Sequence, residues 1–544
     1  MYPLTLVGSE APPSQNSISR SLLRGVFLMA AILLAFACLA VPRTVDAADG
    51  GLSGNNTAEG DNALNSLTGG TGNTAIGNSA LFNDTIGTDN TASGDHVLFH
   101  NIDGSQNTAN GASALLSNTS GGNNTATGFV ALADNTTGVN NTATGASALF
   151  GNNANDNTAT GFNALFFNSR GSNNTATGSQ ALYLNTSGNY NTANGYLALG
   201  SSGGSFNTGS DNTATGAQAL SNNTTGGDNT ANGFQALLSN TTGGDNTASG
   251  VNALGSNTTG ADNTANGVNA LLSNTTGIDN TATGVASLLG NTTGNFNTAN
   301  GLSALQANTT GGRNTANGFQ ALVHNTTGNN NIALGASAGT NLTSGSNNID
   351  IGAPGVAGES GKIRIGKQGT QNGTFVAGIF GVSVPNGLGV VVDSTGHLGT
   401  VASSERFKEA IKPMDKASEA ILALKPVTFR YKHELDPDAI PQFGLVAEQV
   451  EKVNPDLVVR GEDGKVMTVR YEAVNAMLLN EFLKEHRKVE EQQAGISRLE
   501  SKVANEELIA TQQQKQIENL TATVQKVSDQ IALSKPSPQL VTNP

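Results

Sequence analysis

The pentapeptide Asn-Thr-Ala-x-Gly constrains this chain more than any other feature. It begins at Asn56, Asn73, Asn90, Asn107, Asn124 and Asn141, a period of 17 residues. It recurs at Asn157, Asn174, Asn191, Asn212 and Asn229, then every 17 residues from Asn246 to Asn314. Degenerate copies at Asn331 and Asn348 bring the total to 18. The full unit reads N-T-A-x-G-x-x-A-L-x-x-N-T-T-G-x-x. A fixed short period implies a stacked array in which each unit needs its neighbours to bury its apolar positions. The unit is too short and too poor in helix formers for paired helices. Its glycines suit corners, and its Thr and small alternating residues suit strands. The expected fold is a parallel β-solenoid or β-roll over residues 48–352, with Asn and Thr stacked into side-chain ladders. At about 4.8 Å per coil, such a stack is roughly 85 Å long. The Ala-Leu-x-x-Asn part could instead form a helical turn.

Composition agrees with one repetitive body. The 544 residues include 68 Gly and no Trp, and only 12% are charged. The formal net charge of −14 argues against nucleic acid as a partner, which requires basic patches. Arg20 and Arg24 precede an apolar run over residues 25–41, and Val45-Asp46-Ala47 offers a small-x-small cleavage site. That is the grammar of a signal peptide over residues 1–47, so the chain is expected to be exported to the cell surface or beyond. An uncleaved anchor is the alternative. The single cysteine, Cys38, lies inside this leader, so disulfides and thiolate metal sites are not expected in the mature chain.

Each coil offers about two inward apolar positions, such as Ala114 and Leu115 or Ala236 and Leu237. So thin a coil is expected to trimerise and to bury Leu and Phe side chains between three chains. The repeat resembles the heads of trimeric autotransporter adhesins, which also carry A-x-G-x-x-A, in architecture rather than in export route. Asp211, Asp228, Asp245, Asp262 and Asp279 share one register, about 4.8 Å apart if stacked. A cation such as Ca²⁺ would relieve their repulsion. Solvated Asp in tight turns is the simpler reading, because the calcium-binding repeat pattern is missing. The Asn-x-Thr/Ser sequons at Asn118, Asn135 and Asn222 read as repeat side chains.

Beyond the repeat, residues 353–402 read as a β neck, with strands expected at 362–366, 374–384, 388–392 and 397–401. Charge then rises and glycine falls. Residues 403–471 read as a small α+β domain with helices at 404–411, 416–424 and 443–454. Strands are expected at 427–431, 457–460 and 466–471, the last two joined by a turn at Glu462-Asp463-Gly464. A helix over 472–533 follows, and a disordered tail is expected over 534–544. In the helix Asn475, Leu478, Phe482, Val489, Ile496, Leu499, Val503, Ala510, Ile517, Leu520, Val524, Val527 and Ile531 step by threes and fours. Glu485, Gln492, Glu506 and Gln513 fill the other seam positions. Such a seam predicts a coiled coil but does not itself choose three strands over two.

Three motifs then coincide: Ser403-Ser404-x-Arg406-x-Lys408-x-x-Ile411, Lys425-Pro426-Val427-x-Phe429-x-Tyr431, and Gly444-Leu445-Val446-Ala447-Glu448. Together with the run into a coiled coil they resemble the chaperone-of-endosialidase family. In that family a C-terminal intramolecular chaperone trimerises a tail-fibre-like protein and releases itself by serine autoproteolysis. The resemblance implies Ser403 as nucleophile, Lys408 as general base and Ala402–Ser403 as the scissile bond. Where the family more often has Asp, this chain has Ser404, which stands as the alternative nucleophile. Read alone, Ser403 or Ser404 caps a helix and Lys408 is a solvated charge.

The expectation is a multidomain, homotrimeric, adhesin-like fibre, matured by a single-turnover autoendopeptidase with no external substrate. A permanent, uncleaved C-terminal clamp is the alternative. A polysaccharide-active solenoid enzyme is remote, because no paired carboxylates interrupt the repeat. A Thr-rich ice-binding solenoid is set aside because no Thr-x-Thr array is read. A surface glycan or host receptor is the expected outside partner, and no cofactor beyond the Ca²⁺ candidate is expected.

Overall fold

The computed structural model describes residues 50–534 apart from 202, 394 and 462. The leader, Cys38 and the tail from 535 lie outside them. The described chain divides into two units, one ending at Thr374 and one starting at Phe375.

The first unit is a parallel β-solenoid. A short strand β1 (Gly50–Leu52) pairs antiparallel with β2 (Asn56–Glu59) and closes the N-terminal end. From β3 (Thr74–Ile76) to β19 (Ile349–Ile351), each repeat gives one three-residue strand. Neighbouring strands are parallel and in register, Thr74 beside Thr91 and Ala75 beside Ala92. The stack continues past Gly352, because β20 (Ile363–Ile365) lies in register on β19.

The middle Ala of each strand points inward, and its two neighbours point out. The inward Ala joins the Ala and Leu of the next turn, so that Ala109, Ala114 and Leu115 are at most 1% exposed. These columns form one continuous core along the stack. The expectation that Leu is buried between chains is therefore corrected: Leu115 and Leu237 are buried inside their own chain. Phe129, Phe162, Phe234 and Phe319 do remain exposed.

The turn holding each Leu is not helical. Ser113 and Leu115 have φ of 57° and 52°, and the residue before the core Asn, Gln106, has φ of 60°. Left-handed backbone costs an ordinary residue roughly 1–2 kcal/mol. Full burial of a Leu returns about 1.5–3 kcal/mol, which offsets it. At Gly111, with φ of 132°, an added Cβ would lie 2.6 Å from the carbonyl oxygen of Gly128, so this corner needs glycine in every coil.

Two buried Asn columns tie the coils together. In the first, the Asn107 side-chain oxygen accepts from the Asn124 backbone NH at 3.0 Å and from Asn124 Nδ2 at 3.1 Å. Asn124 Nδ2 also donates to the Gly138 carbonyl at 2.9 Å. In the second, Asn118 Nδ2 donates to Asn101 Oδ1 at 2.8 Å and to the Gly121 carbonyl at 2.9 Å. Asn118 and Asn135, read as sequons, belong to this second column and are fully buried.

In the second unit, β21 (Val391–Val392) and β22 (Leu398–Gly399) form a minimal hairpin. No strand forms at 374–384 in the single chain. Phe375 and Phe380 there are 99% and 102% exposed, so they touch almost nothing. Residues 405–407 make one 3₁₀ turn, because Lys408 and then Ala410, at φ 53°, leave helical backbone; the expected helix at 404–411 is not formed. A 3₁₀ helix spans Asp415–Ala423. Strands β23 (Val427–Phe429) and β24 (Gln442–Gly444) pair antiparallel, so the helix expected from 443 starts only at α1 (Ala447–Val453). Strands β25 (Val458–Arg460) and β26 (Val466–Val469) form a hairpin. A helix of 63 residues, α2 (Tyr471–Leu533), completes the unit. Its core is small: Val450, Leu457, Val458, Val469 and Met477.

Candidate functional site

Ser403 lies just before Ser404, which is the N-cap residue of the 405–407 turn in extended backbone (φ −64°, ψ 141°). Lys408 closes that turn, again in extended backbone. The single turn folds the lysine back, and Lys408 Nζ donates to Ser403 Oγ at 3.3 Å. Ser404 makes no side-chain cap hydrogen bond. The i and i+4 placement of Ser404 and Lys408 needs a continuous helix, which this turn is not. Arg406 turns away to lie over the Phe407 ring, 4.6 Å from its centre. Ala402, Ser403 and Lys408 are all exposed. A hydroxyl beside an amine at the edge of a domain is the minimum of a Ser/Lys hydrolytic pair. Its chemistry requires the amine to be neutral and the hydroxyl oxygen to face a carbonyl carbon.

A second Ser/Lys contact, which the sequence did not reveal, lies deeper. Ser418, fully buried, accepts from Asn480 Nδ2 at 2.7 Å and from Lys484 Nζ at 3.4 Å, and it donates to Glu481. Lys484 Nζ also lies 2.6 Å from Glu481. The hydrogen bond to Glu481 holds Lys484 above its usual range, so it stays charged and cannot serve as a base. This cluster pins the Asp415–Ala423 helix to α2. No sequence signal joins residues more than sixty positions apart.

Asp211, Asp228, Asp245, Asp262 and Asp279 occupy the left-handed position before each core Asn, with φ between 56° and 61°. They are exposed, and each backbone NH bonds to the preceding coil, as Asp228 does to the Ser210 carbonyl at 3.1 Å. Asn and Asp tolerate this backbone best, which accounts for their recurrence there. Among the described residues, no group of three His, Cys, Asp or Glu is placed to hold a metal ion.

Two other carboxylates stand out. Asp84 takes an Asn position at the N-terminal end of the second column, where Leu67 precedes it one coil earlier. Its Oδ1 accepts from Asn101 at 3.0 Å and from the Gly87 NH at 3.1 Å, while Oδ2 has no partner. Burial outweighs these bonds and pushes the carboxyl up to about 6. Asp350 takes the inward Ala position of β19, also without a partner for either oxygen, and burial raises it to about 6.

The rod and the Ser403 segment together fit a fibre-like protein with a C-terminal assembly domain. No curated protein matches the chain. Residues 403–459 match the family model of the chaperone of endosialidase, and the match begins at the serine that Lys408 contacts: this chain carries a chaperone-of-endosialidase domain beyond its β-solenoid rod.

Proposed function

We propose that this chain is an exported, trimeric, adhesin-like fibre whose C-terminal domain assembles three copies and then cuts itself away between Ala402 and Ser403. The 3.3 Å contact between Lys408 Nζ and Ser403 Oγ, at the first residue of the family match, carries the cleavage part of this reading. Ser403 Oγ attacks the Ala402 carbonyl carbon and its proton passes to Lys408. The tetrahedral adduct collapses to an ester as the Ser403 nitrogen leaves with a proton, and water then hydrolyses the ester. In one chain the pair is open to solvent. Packing of neighbouring copies supplies the desolvation that a neutral lysine needs, which makes cleavage follow assembly.

Exposed apolar surface supports the assembly part. Along α2, Leu478, Phe482, Val489, Leu499, Leu520 and Val524 are each more than half exposed in the single chain. The outward residues of the last rungs also change from Thr and Asn to Ile332, Leu334, Ile349, Ile351, Ile363 and Ile365. A three-stranded coiled coil and a trimer contact over these rungs would cover both. Export rests on the leader at residues 1–47, and the outside partner is a surface glycan or receptor. Production of the full chain beside Ser403→Ala tests cleavage. A fragment beginning at Ser403, seen only in the unsubstituted chain, is expected; an intact chain in both leaves a permanent clamp instead.

A further inference from the structure

The second unit contains an unfilled apolar groove. Ile421, Leu424, Val427, Phe443, Val474 and Leu478 line it, between the β23–β24 pair and the first turns of α2. Its floor is tight and well defined. Tyr471 Oη accepts from the Leu445 NH at 3.1 Å, and a Cβ on Gly444 would lie 2.9 Å from that oxygen. Phe443 is 82% exposed and Leu478 57% exposed at its rim. The sheet beside it has only two strands, which is too few to be stable without further cover.

The same unit contains all but the first residue of a segment with the opposite need. Residues 374–384 read Thr-Phe-Val-Ala-Gly-Ile-Phe-Gly-Val-Ser-Val. Extended, Phe375, Ala377 and Ile379 fall on one face and Val376, Phe380, Val382 and Val384 on the other. A strand apolar on both faces belongs where both are covered. In the single chain neither is: Phe375, Phe380 and Val384 are 99%, 102% and 72% exposed. The single chain leaves groove and segment both empty-handed, although it carries one of each. A contact between a groove and a segment of this kind would cover both.

We propose that the groove is the client-holding site of the chaperone domain, and that its occupant is the 374–384 segment of a neighbouring copy of this chain. The inference rests on the self-association reading above and adds to it which residues are held, and by what. One face of the segment packs in the groove while the other meets the equivalent segments. The cleavage site sits between the two partners in sequence. While the chain is whole, connection through the assembly keeps segment and groove at high effective concentration, so a weak contact suffices. Once Ala402–Ser403 is cut in every copy, that tether is gone and the groove lets go.

Cysteine pairing in the full chain tests this. The background carries Cys38→Ser, which removes the one native thiol, and Ser403→Ala, which prevents cleavage. Phe380→Cys and Phe443→Cys are added singly and together, both at exposed positions. After mild oxidation, the double variant should give covalent species of up to three chains on a non-reducing denaturing gel. The single variants should give two chains at most. A one-chain band whose two thiols resist alkylation would place the segment in its own groove and overturn the proposal. So would an unlinked chain, provided that Val384→Cys with Leu478→Cys also fails to link. A native mass of three chains with no linkage sinks only the groove assignment, whereas a native mass of one chain sinks the assembly reading itself.

Discussion

The rod and the C-terminal unit solve the problem of burying apolar surface in opposite ways. In the rod, every coil hides its own Ala and Leu; Leu115, Leu132 and Leu149 are fully buried without help from another molecule. In the C-terminal unit, the core is five residues, while the seam of α2 and the two phenylalanines at 375 and 380 face solvent. The rod covers its Ala and Leu columns within one chain once its coils are stacked. The C-terminal unit leaves the α2 seam and the two phenylalanines exposed in the single chain. On the proposed reading, a body that stacks without setting the number of copies needs a separate part that sets it, and the domain matched from Ser403 would be that part.

The largest expected effect breaks this contrast at the seam. Leu499→Asp with Val503→Asp on α2 should reduce the native mass from three chains to one and abolish cleavage, while the β signal of the rod by circular dichroism stays. Loss of the rod signal as well would show that the rod depends on its partners. Next in size is the ladder. Asn240 accepts from Asn257 and donates to Asn223 and the Gly243 carbonyl, all buried. Asn240→Leu should cost about 2–4 kcal/mol in the denaturant stability of the rod. Native mass should not change, which separates the two regions from the other side.

A smaller effect comes from Asp84. Its carboxyl is raised in the folded chain, so the folded state binds a proton more tightly than the unfolded one. That contribution favours the rod below about pH 4 and is lost as pH rises through about 6. Asp84→Asn, which can donate to Gly87 as its ladder neighbours do to their glycines, should stabilise the rod by about 1–2 kcal/mol at pH 7 and hardly at all at pH 4. Melting curves at the two pH values check it. The smallest effect concerns the Asp row from Asp211 to Asp279. If these side chains serve their left-handed turns, chelator or Ca²⁺ should leave the melting temperature unchanged; a clear rise with Ca²⁺ would restore the ladder as a cation site.

What could be read from sequence divides along the same line. The period of 17 gives strand, direction and inward Ala directly, because in-register stacking repeats one local solution. Left-handed backbone at Leu115 was not legible, since Leu has no intrinsic preference for it and only the core rewards it. The reading that found no Thr-x-Thr array is corrected, because the triplets stand in the sequence itself: Thr125 and Thr127, Thr142 and Thr144, Thr158 and Thr160, and Thr175 and Thr177, which the fold puts in consecutive rungs. A strand is expected at 374–384 from its run of Val, Ile and Phe, yet none forms in the single chain, because a strand pattern does not name the strand it pairs with. Ser403 and Lys408 were legible as a motif, and their approach depends on a turn too short to be seen as a helix. Ser418, Asn480 and Glu481 meet only through tertiary folding.

The most direct test of the contrast is the native mass of the full-length Ser403→Ala chain, by light scattering across a hundredfold range of concentration. A constant mass of three chains is the expected result, with the uncut C-terminal unit still attached. A constant mass of one chain would contradict the account, because the exposed seam of α2, the apolar rungs from Ile332 to Ile365 and the open groove would then have no partner to explain them.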